Sequence, residues 1–372
     1  LLSMAFHPDY RNNGRVFLYY SRPLRAGAPF GWDCTNVISE YRVMPGNPDM
    51  TDMGSEKILL EIHKPSSNHN GGPLLFGPTD GFLYLPVGDG GGAGDTGFGH
   101  TPGIGNAQDL TTMLGKVICI DIDHATNGKL YGIPPSNPFV NKPGILPEIY
   151  AYGLRNPAYA SFDSGGDHHL YVWNAGQQLF ESAYRVLKGG NYGWHIREGT
   201  HCFDPGNPGR PPLGTTCPIV GYRNEPLIGP IVELGHDLGT TIVGGTIYRG
   251  AGLAGKQGAM IHGTWSRAGG SSGNGAVLIS TGNISSISVD ASLVTPEQNA
   301  MWETAEMRIV NNPGGRIEAY VRGVFEGTDH EAYLVFNRNA GPGDQPPTGE
   351  VWKLVPADTP GLVNTVTRSP SP

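Results

Sequence analysis

Apolar and polar residues alternate in short runs along most of the chain, and glycine, proline or aspartate closes nearly every run. That period of two is the pattern of half-buried strands joined by tight turns. Helical spacing is almost absent, and the one weak helix candidate covers Leu179 to Leu187. Three segments repeat one design: Asp80 to Gly90, Asp167 to Gln177 and Asp329 to Gly341. Each opens on an acidic turn, continues as a tyrosine-centred strand and ends in a polar, glycine-containing loop. A second strand-like segment follows each of them. Tyr84 and Tyr171 are separated by about twice the roughly 40–50 residues of a propeller blade. The pattern predicts an all-β fold, a β-propeller in preference to a β-sandwich, because no linker divides residues 1–356 into two halves.

Composition agrees with many short strands. The 372 residues include 57 glycines and 32 prolines, with only 16% charged residues. The net charge of −8 argues against a nucleic-acid partner, which calls for a basic face. No run of residues reads as a membrane span. The chain opens directly inside a strand pattern, so a truncated N-terminus is expected, and residues 357–372 read as a Ser/Thr/Pro-rich tail or linker. Of four cysteines, Cys202 and Cys217 bracket a Pro/Gly-rich loop that a disulfide would tie down. Cys119 reads as a buried thiol, and Cys34 falls in a loop, free or paired elsewhere. With the sequon at Asn283, these features point to an oxidising, secreted setting.

Candidate chemistry lies where the strand patterns break. His69 sits in Asn68-His69-Asn70-Gly71-Gly72-Pro73, and Asp89 sits in a matching glycine-rich loop one strand later. Histidine can take up a proton near neutral pH, and a carboxylate can orient it; the bland alternative is a turn histidine bonded to its neighbours. Arg155 and Asn156 stand before Pro157 at a strand end, suited to carboxylates or quinone oxygens, or else to stapling two blades. The loop Asn174-Ala175-Gly176-Gln177 can turn backbone carbonyls towards a hard cation. Thr241 opens a strand pattern that Arg249 closes, and Arg267 is a further basic candidate. His168 and His169 read as solvated turn residues. His100, His195, His201 and His236 lack zinc-ligand spacing.

In order, LLSMAFHPDYRNNGRVFLYYS, NHNGGPLLFGPTDGFLYLPVGDGG, NAQDLTTMLGKVICIDID, EIYAYGLRNP, GGNYGWHIREGTHCF and GGTIYRG resemble the soluble pyrroloquinoline-quinone (PQQ)-dependent sugar dehydrogenases of the glucose/sorbosone dehydrogenase branch. The resemblance covers Leu1 to about Pro356. It implies a six-bladed β-propeller, here incomplete at its N-terminus, that oxidises a sugar or related alcohol with PQQ and Ca2+ and passes electrons to an external acceptor. His69 would be the general base, Asp89 its supporting acid, and Arg155 a catalytic and cofactor-binding cation. His69, Asn156, Thr241, Arg249 and Arg267 would also contact the cofactor, and Gly176 and Gln177 would hold calcium. This chain carries Asn174 and Ser182 where the branch commonly carries acids. Hedgehog-interacting protein resembles the same family without enzymatic work, so the alternative is a propeller that binds a protein or glycan.

Overall fold

The computed structural model describes residues 1–358 other than 127, 213–215, 268–272, 285–286, 297, 311, 313 and 342–347. The expected tail therefore falls almost wholly outside the described residues, as does Ser285 of the sequon.

Five antiparallel sheets follow one another along the chain. The first holds β1 (Ser3–Phe6), β2 (Arg15–Pro23), β3 (Cys34–Met44) and β4 (Asn47–Lys64). The second holds β5 (Leu75–Phe76), β6 (Leu83–Val87), β7 (Lys116–Ile120) and β8 (Ile149–Tyr152). The third is built from β9 (Asn156–Phe162), β10 (Leu170–Ala175) and β11 (Phe180–Val186). A small ribbon of β12 (Arg197–Glu198) and β13 (His201–Cys202) interrupts it before β14 (Val232–Gly235) completes its edge. The fourth holds β15 (Ile242–Ile247), β16 (Met260–Thr264), β17 (Ala276–Thr281) and β18 (Glu303–Glu306). The fifth holds β19 (Tyr320–Glu326), β20 (Ala332–Asn337) and β21 (Glu350–Lys353). Among the described residues no helix is long and apolar enough to cross a membrane.

These are propeller blades. The first strands pack on one another from sheet to sheet, β5 on β9, β9 on β15, β15 on β19. Blade faces are covered on both sides, so central strands such as β6, β7 and β16 are buried at every position, whereas β21 on an outer edge alternates. One apolar cluster seals each junction: Phe17 and Ile38 with Leu85 and Ile118, Val117 with Val172, Trp173 with Leu278, and Val243 with Val321. The repeat visible in the sequence is the second blade strand. Tyr84 donates its hydroxyl to Asp80, and Tyr333 does the same to Asp329, four residues apart in both blades.

Three expectations change. Five blade sheets are described where the resemblance implied six. No described core cluster joins the fifth sheet to the first, and Met4, Phe6 and Val351 are exposed there. Leu179 to Leu187 is not helical: its centre is β11, whose residues Ser182–Val186 pair with β10. Cys34 lies in β3 rather than in a loop, and it is buried. Cys202 and Cys217 are disulfide-bonded, and Cys119 is a buried thiol.

Candidate functional site

In an antiparallel blade, the start of the first strand and the end of the second share one end of the sheet. His69 lies before β5, Asp89 just after β6, Arg155 just before β9 and Gly176 just after β10. All four loops therefore open on the same end of the ring.

His69 and Asp89 meet there. Nδ1 of His69 lies 2.7 Å from Oδ1 of Asp89. An ionised carboxylate can only accept, so Nδ1 carries the hydrogen and Nε2 presents its lone pair outward. Nε2 makes no hydrogen bond among the described residues. The approach is close because Gly88 passes directly beneath the histidine: a Cβ at Gly88 would stand 2.2 Å from the His69 carbonyl oxygen. Trp194 donates its indole N–H to the other Asp89 oxygen at 2.9 Å, and the Gly91 amide donates to Oδ1 at 3.0 Å. Burial alone would raise the Asp89 pKa. The hydrogen bond and electrostatic field of His69 and the positive charge of Arg155 outweigh it and hold the carboxyl below its ordinary value.

Arg155 is tied to this pair. Its carbonyl accepts from the Asp89 amide at 2.7 Å, and its guanidinium lies 5.6 Å over the Trp194 ring. Asn156 reaches back to the histidine loop, its Oδ1 accepting from the Gly71 amide at 3.3 Å. Asn174 reads in the sequence as lost negative charge. In the structure its amide oxygen accepts from the backbone N–H of both Arg155 and Asn156, at 3.0 Å each, a task that needs no charge. Ser182 is buried opposite Asn174 on the neighbouring strand, inside the blade.

The expected calcium loop holds a different cation. The carbonyl oxygens of Ala175 and Gly176 accept from Nη1 of Arg155, at 3.2 and 2.6 Å, and Gln177 Oε1 accepts from its Nε and Nη2. The nearby acids face backbone donors instead. Glu198 accepts from the amides of Gln177 and Gln178 at 2.6 and 2.8 Å. Glu181 accepts from the Gly176 and Ile242 amides and from His236. Oxygens that a calcium ion would need are thus satisfied by a guanidinium, and the nearest acids, Glu181 and Glu198, are committed to backbone amides. The residues present do not fit a resident calcium ion. They do fit a flat, anionic ligand with carbonyl oxygens: an imidazole lone pair, a buried guanidinium and amide groups share one rim.

Thr241 precedes β15, one residue from the Ile242 amide that Glu181 holds, and so borders the same rim. Arg267 follows β16 at the same end, but its guanidinium faces Glu306 at 3.5 Å rather than the His69 group. Arg249 is not part of the site. It follows β15, whose six residues span about 20 Å, so it emerges at the opposite end of the ring. There its Nε donates to Asp163 at 2.7 Å. His169, expected to be solvated, is buried, while His168 bonds the Asp163 carbonyl. Of the remaining histidines, His100 pairs with Asp95, His201 with Glu233 and His236 with Glu181. Trp194 and Asn174 carry the site's second layer and were not assigned from sequence. Trp194 stood inside a quoted motif, but nothing local shows that it reaches a residue 105 positions earlier. Two surface clefts, one at residues 22–26 with Glu61 and one between Glu306–Arg308 and Gly314–Arg316, are not lined by His69, Asp89 or Arg155.

A family model described as glucose/sorbosone dehydrogenase matches residues 1–212. The HIPL2 protein of Arabidopsis thaliana is 31% identical over 291 residues, 67% of this chain and 40% of that protein. Human Hedgehog-interacting protein is 35% identical over 163 residues, 44% of this chain and 22% of its own length. Quinoprotein glucose dehydrogenase B of Acinetobacter calcoaceticus is 31% identical over 206 residues, 52% and 39% of the two chains. The chain thus spans well under half the length of these relatives. Among solved structures, a glucose dehydrogenase superposes with a TM-score of 0.63 at 17% identity, over 95% of this chain and 82% of that one. The PQQ-bound form of aldose sugar dehydrogenase from Streptomyces coelicolor gives 0.59 at 19% identity, over 95% and 78%. At such identities the superpositions show the fold.

Proposed function

Because the chain belongs to the glucose/sorbosone dehydrogenase family, we propose that it oxidises a sugar or a related alcohol or aldehyde hydrate, with PQQ as hydride acceptor and His69 as general base. The observation that carries this reading is the His69–Asp89 pair at 2.7 Å, with the outer imidazole nitrogen unbonded beside a buried arginine. When bound, the quinone supplies an electrophilic carbonyl that can receive hydride from the sugar carbon.

The chain's own residues do the rest. Nε2 of His69 takes the hydroxyl proton as the hydride departs. Asp89 keeps Nδ1 protonated and stabilises the imidazolium, while Trp194 and Gly91 keep Asp89 in place. Arg155 brings a fixed positive charge to the rim where negative charge develops, and Asn156 and Thr241 line its approach. No step is assigned to calcium. Electrons leave to an external acceptor. The Cys202–Cys217 disulfide and the similarity to Hedgehog-interacting protein support an extracellular setting.

The test is reconstitution of the purified chain with PQQ, followed by turnover with a panel of aldoses. His69→Ala should lower turnover by about 10²–10⁴-fold, the usual worth of a positioned base, while cofactor affinity stays within a few-fold. Unchanged turnover removes His69 from the chemistry.

A second reading has its own support: a propeller that binds a protein or glycan without redox work. The similarity to HIPL2 and Hedgehog-interacting protein, together with a rim whose loop oxygens are already satisfied by Arg155, favours it. Absence of both spectral change and thermal stabilisation at micromolar PQQ selects this reading over the first.

A further inference from the structure

Lys64 ends β4 with its side chain fully buried, one blade away from the histidine it serves. Its ammonium donates to the Asn68 carbonyl and, at 2.6 Å, to Oδ1 of Asn70. These are the two residues that flank His69. His69 itself adopts a φ of +50°, a conformation that a side chain with a Cβ rarely takes and that its surroundings must impose. The surroundings come from the first blade. Tyr19 donates its hydroxyl to the Asn70 carbonyl at 2.6 Å, and Asn36 donates to both the Tyr19 hydroxyl and Asn70 Oδ1, at 2.7 and 3.1 Å. Lys64 is the one charged member of this buried network, and it grips both shoulders of the loop at once.

We propose that Lys64 is a positioning residue for His69: its ammonium clamps Asn68 and Asn70 so that the imidazole stays on Asp89 with Nε2 facing the substrate. This rests on the proposed role of His69 as base. A buried ammonium that makes directed bonds holds geometry more tightly than a neutral side chain, and positional errors of about 1 Å can cost on the order of 10²-fold in rate. Burial pulls the Lys64 pKa down to about 8, opposed by the charges of Cys34, Asp89 and Asp33, the titratable groups facing it. Cys34 is its direct cross-strand partner. Deprotonation removes the charge from both shoulder contacts, so the clamp weakens as pH rises past that value.

Three variants test this in the full chain: Lys64→Met, Lys64→Arg and Asn70→Ala. In PQQ-reconstituted protein, Lys64→Met is expected to lower kcat by about 10–100-fold with KM nearly unchanged, and to abolish the fall in kcat above pH 8. Lys64→Arg should recover part of kcat. A readout independent of turnover is the low-field Nδ1 proton of His69, observed by NMR without cofactor: sharp in the wild type and Lys64→Arg, broadened or lost in Lys64→Met. If Lys64→Met does not fold, Asn70→Ala carries the test, with a several-fold kcat loss and a weakened signal expected. Wild-type kcat and an intact Nδ1 signal in either folded variant overturn the proposal. If the reconstituted wild type does not turn over, the dehydrogenase reading fails, and the proton signal alone still decides whether Lys64 sets the His69 geometry.

Discussion

Two histidine–aspartate pairs lie within one stretch of this chain, alike in distance and different in everything that surrounds them. His69 meets Asp89 at 2.7 Å, and His100 meets Asp95 at 2.6 Å. Both aspartates are buried. Asp95, however, also accepts from the backbone amides of Asn106 and Ala107, at 2.8 and 2.9 Å, and so caps a short helical turn at Gly105–Gln108. Its histidine has a side chain only 4% exposed and closes the loop from within. Asp89 instead collects an indole, an amide and an imidazole whose second nitrogen is left over. The two aspartates also titrate in opposite senses. Asp89 is held low by His69 and Arg155, whereas burial and the neighbouring Asp89 charge push Asp95 up. One pair holds a loop closed; the other keeps a base ready. The chemistry of a residue pair is set by what remains unsatisfied, not by the pair itself.

The sharpest way to break the comparison is to exchange the losses. His69→Ala should remove about 10²–10⁴ in turnover, with a stability loss because the buried Asp89 carboxylate keeps only Trp194 and Gly91 as partners. His100→Ala should keep most turnover in whatever protein remains folded and lower the melting temperature. Thermal denaturation and steady-state rates on the same preparations check both, and a catalytic collapse in His100→Ala with unchanged melting would invert the assignment. Asp95→Ala comes next. Removing a partner of a buried, hydrogen-bonded charge costs about 3–5 kcal/mol, visible as a large drop in the denaturant midpoint.

Gly88→Ala sharpens the contrast from the other side. Its added methyl would meet the His69 carbonyl at 2.2 Å, so the backbone must shift beneath the first pair alone. Turnover should fall well over tenfold for a stability loss of about 1–3 kcal/mol, while exchange protection of the Asn106 amide under Asp95 stays unchanged.

A smaller effect is pH-dependent. Burial lowers the His100 pKa, but the bond and charge of Asp95 outweigh it and leave it raised. A histidine raised on folding contributes stability that is complete below its unfolded value, near 6.5, and that fades as pH climbs through the higher folded value. Asp89, depressed, contributes stability that is present above the ordinary carboxylate range and lost as pH falls through its folded value. Wild-type stability should therefore decline as pH rises past about 6.5, and His100→Asn should flatten that decline without touching the acid limb. Unfolding midpoints across the pH range check the sign.

The smallest expected effect concerns calcium. With Arg155 satisfying the oxygens of Ala175, Gly176 and Gln177, millimolar calcium should leave the melting temperature of the cofactor-free chain within about 1 °C. A clear upward shift would show that the guanidinium gives way to the metal.

Much of this was legible in the sequence because it is local. The Asp80-to-Tyr84 and Asp329-to-Tyr333 contacts span four residues and mark blades directly. The His69 and Asp89 loops flank one short hairpin, so their meeting follows from strand order. What escaped reading depends on three dimensions. Thr241 and Arg249 flank one strand, and only counting the rise along β15 shows that the two face opposite ends of the ring. Phe180–Val186 imitates a helix because buried Glu181 and Arg185 blur its alternation. Asn174 looked like a missing charge until its oxygen was seen to serve two amides. Trp194 reaches the site across a blade boundary, and Lys64, although near in sequence, gives no local sign that its buried ammonium bonds the residues on either side of His69.

The most direct test of the account follows PQQ absorbance in the purified chain, before and after a single addition of aldose, in wild type and His69→Gln. Both proteins are expected to bind the cofactor, and only the wild type is expected to reduce it within the turnover time. Equal reduction in the two proteins, or bound cofactor that no aldose reduces in the wild type, would contradict it.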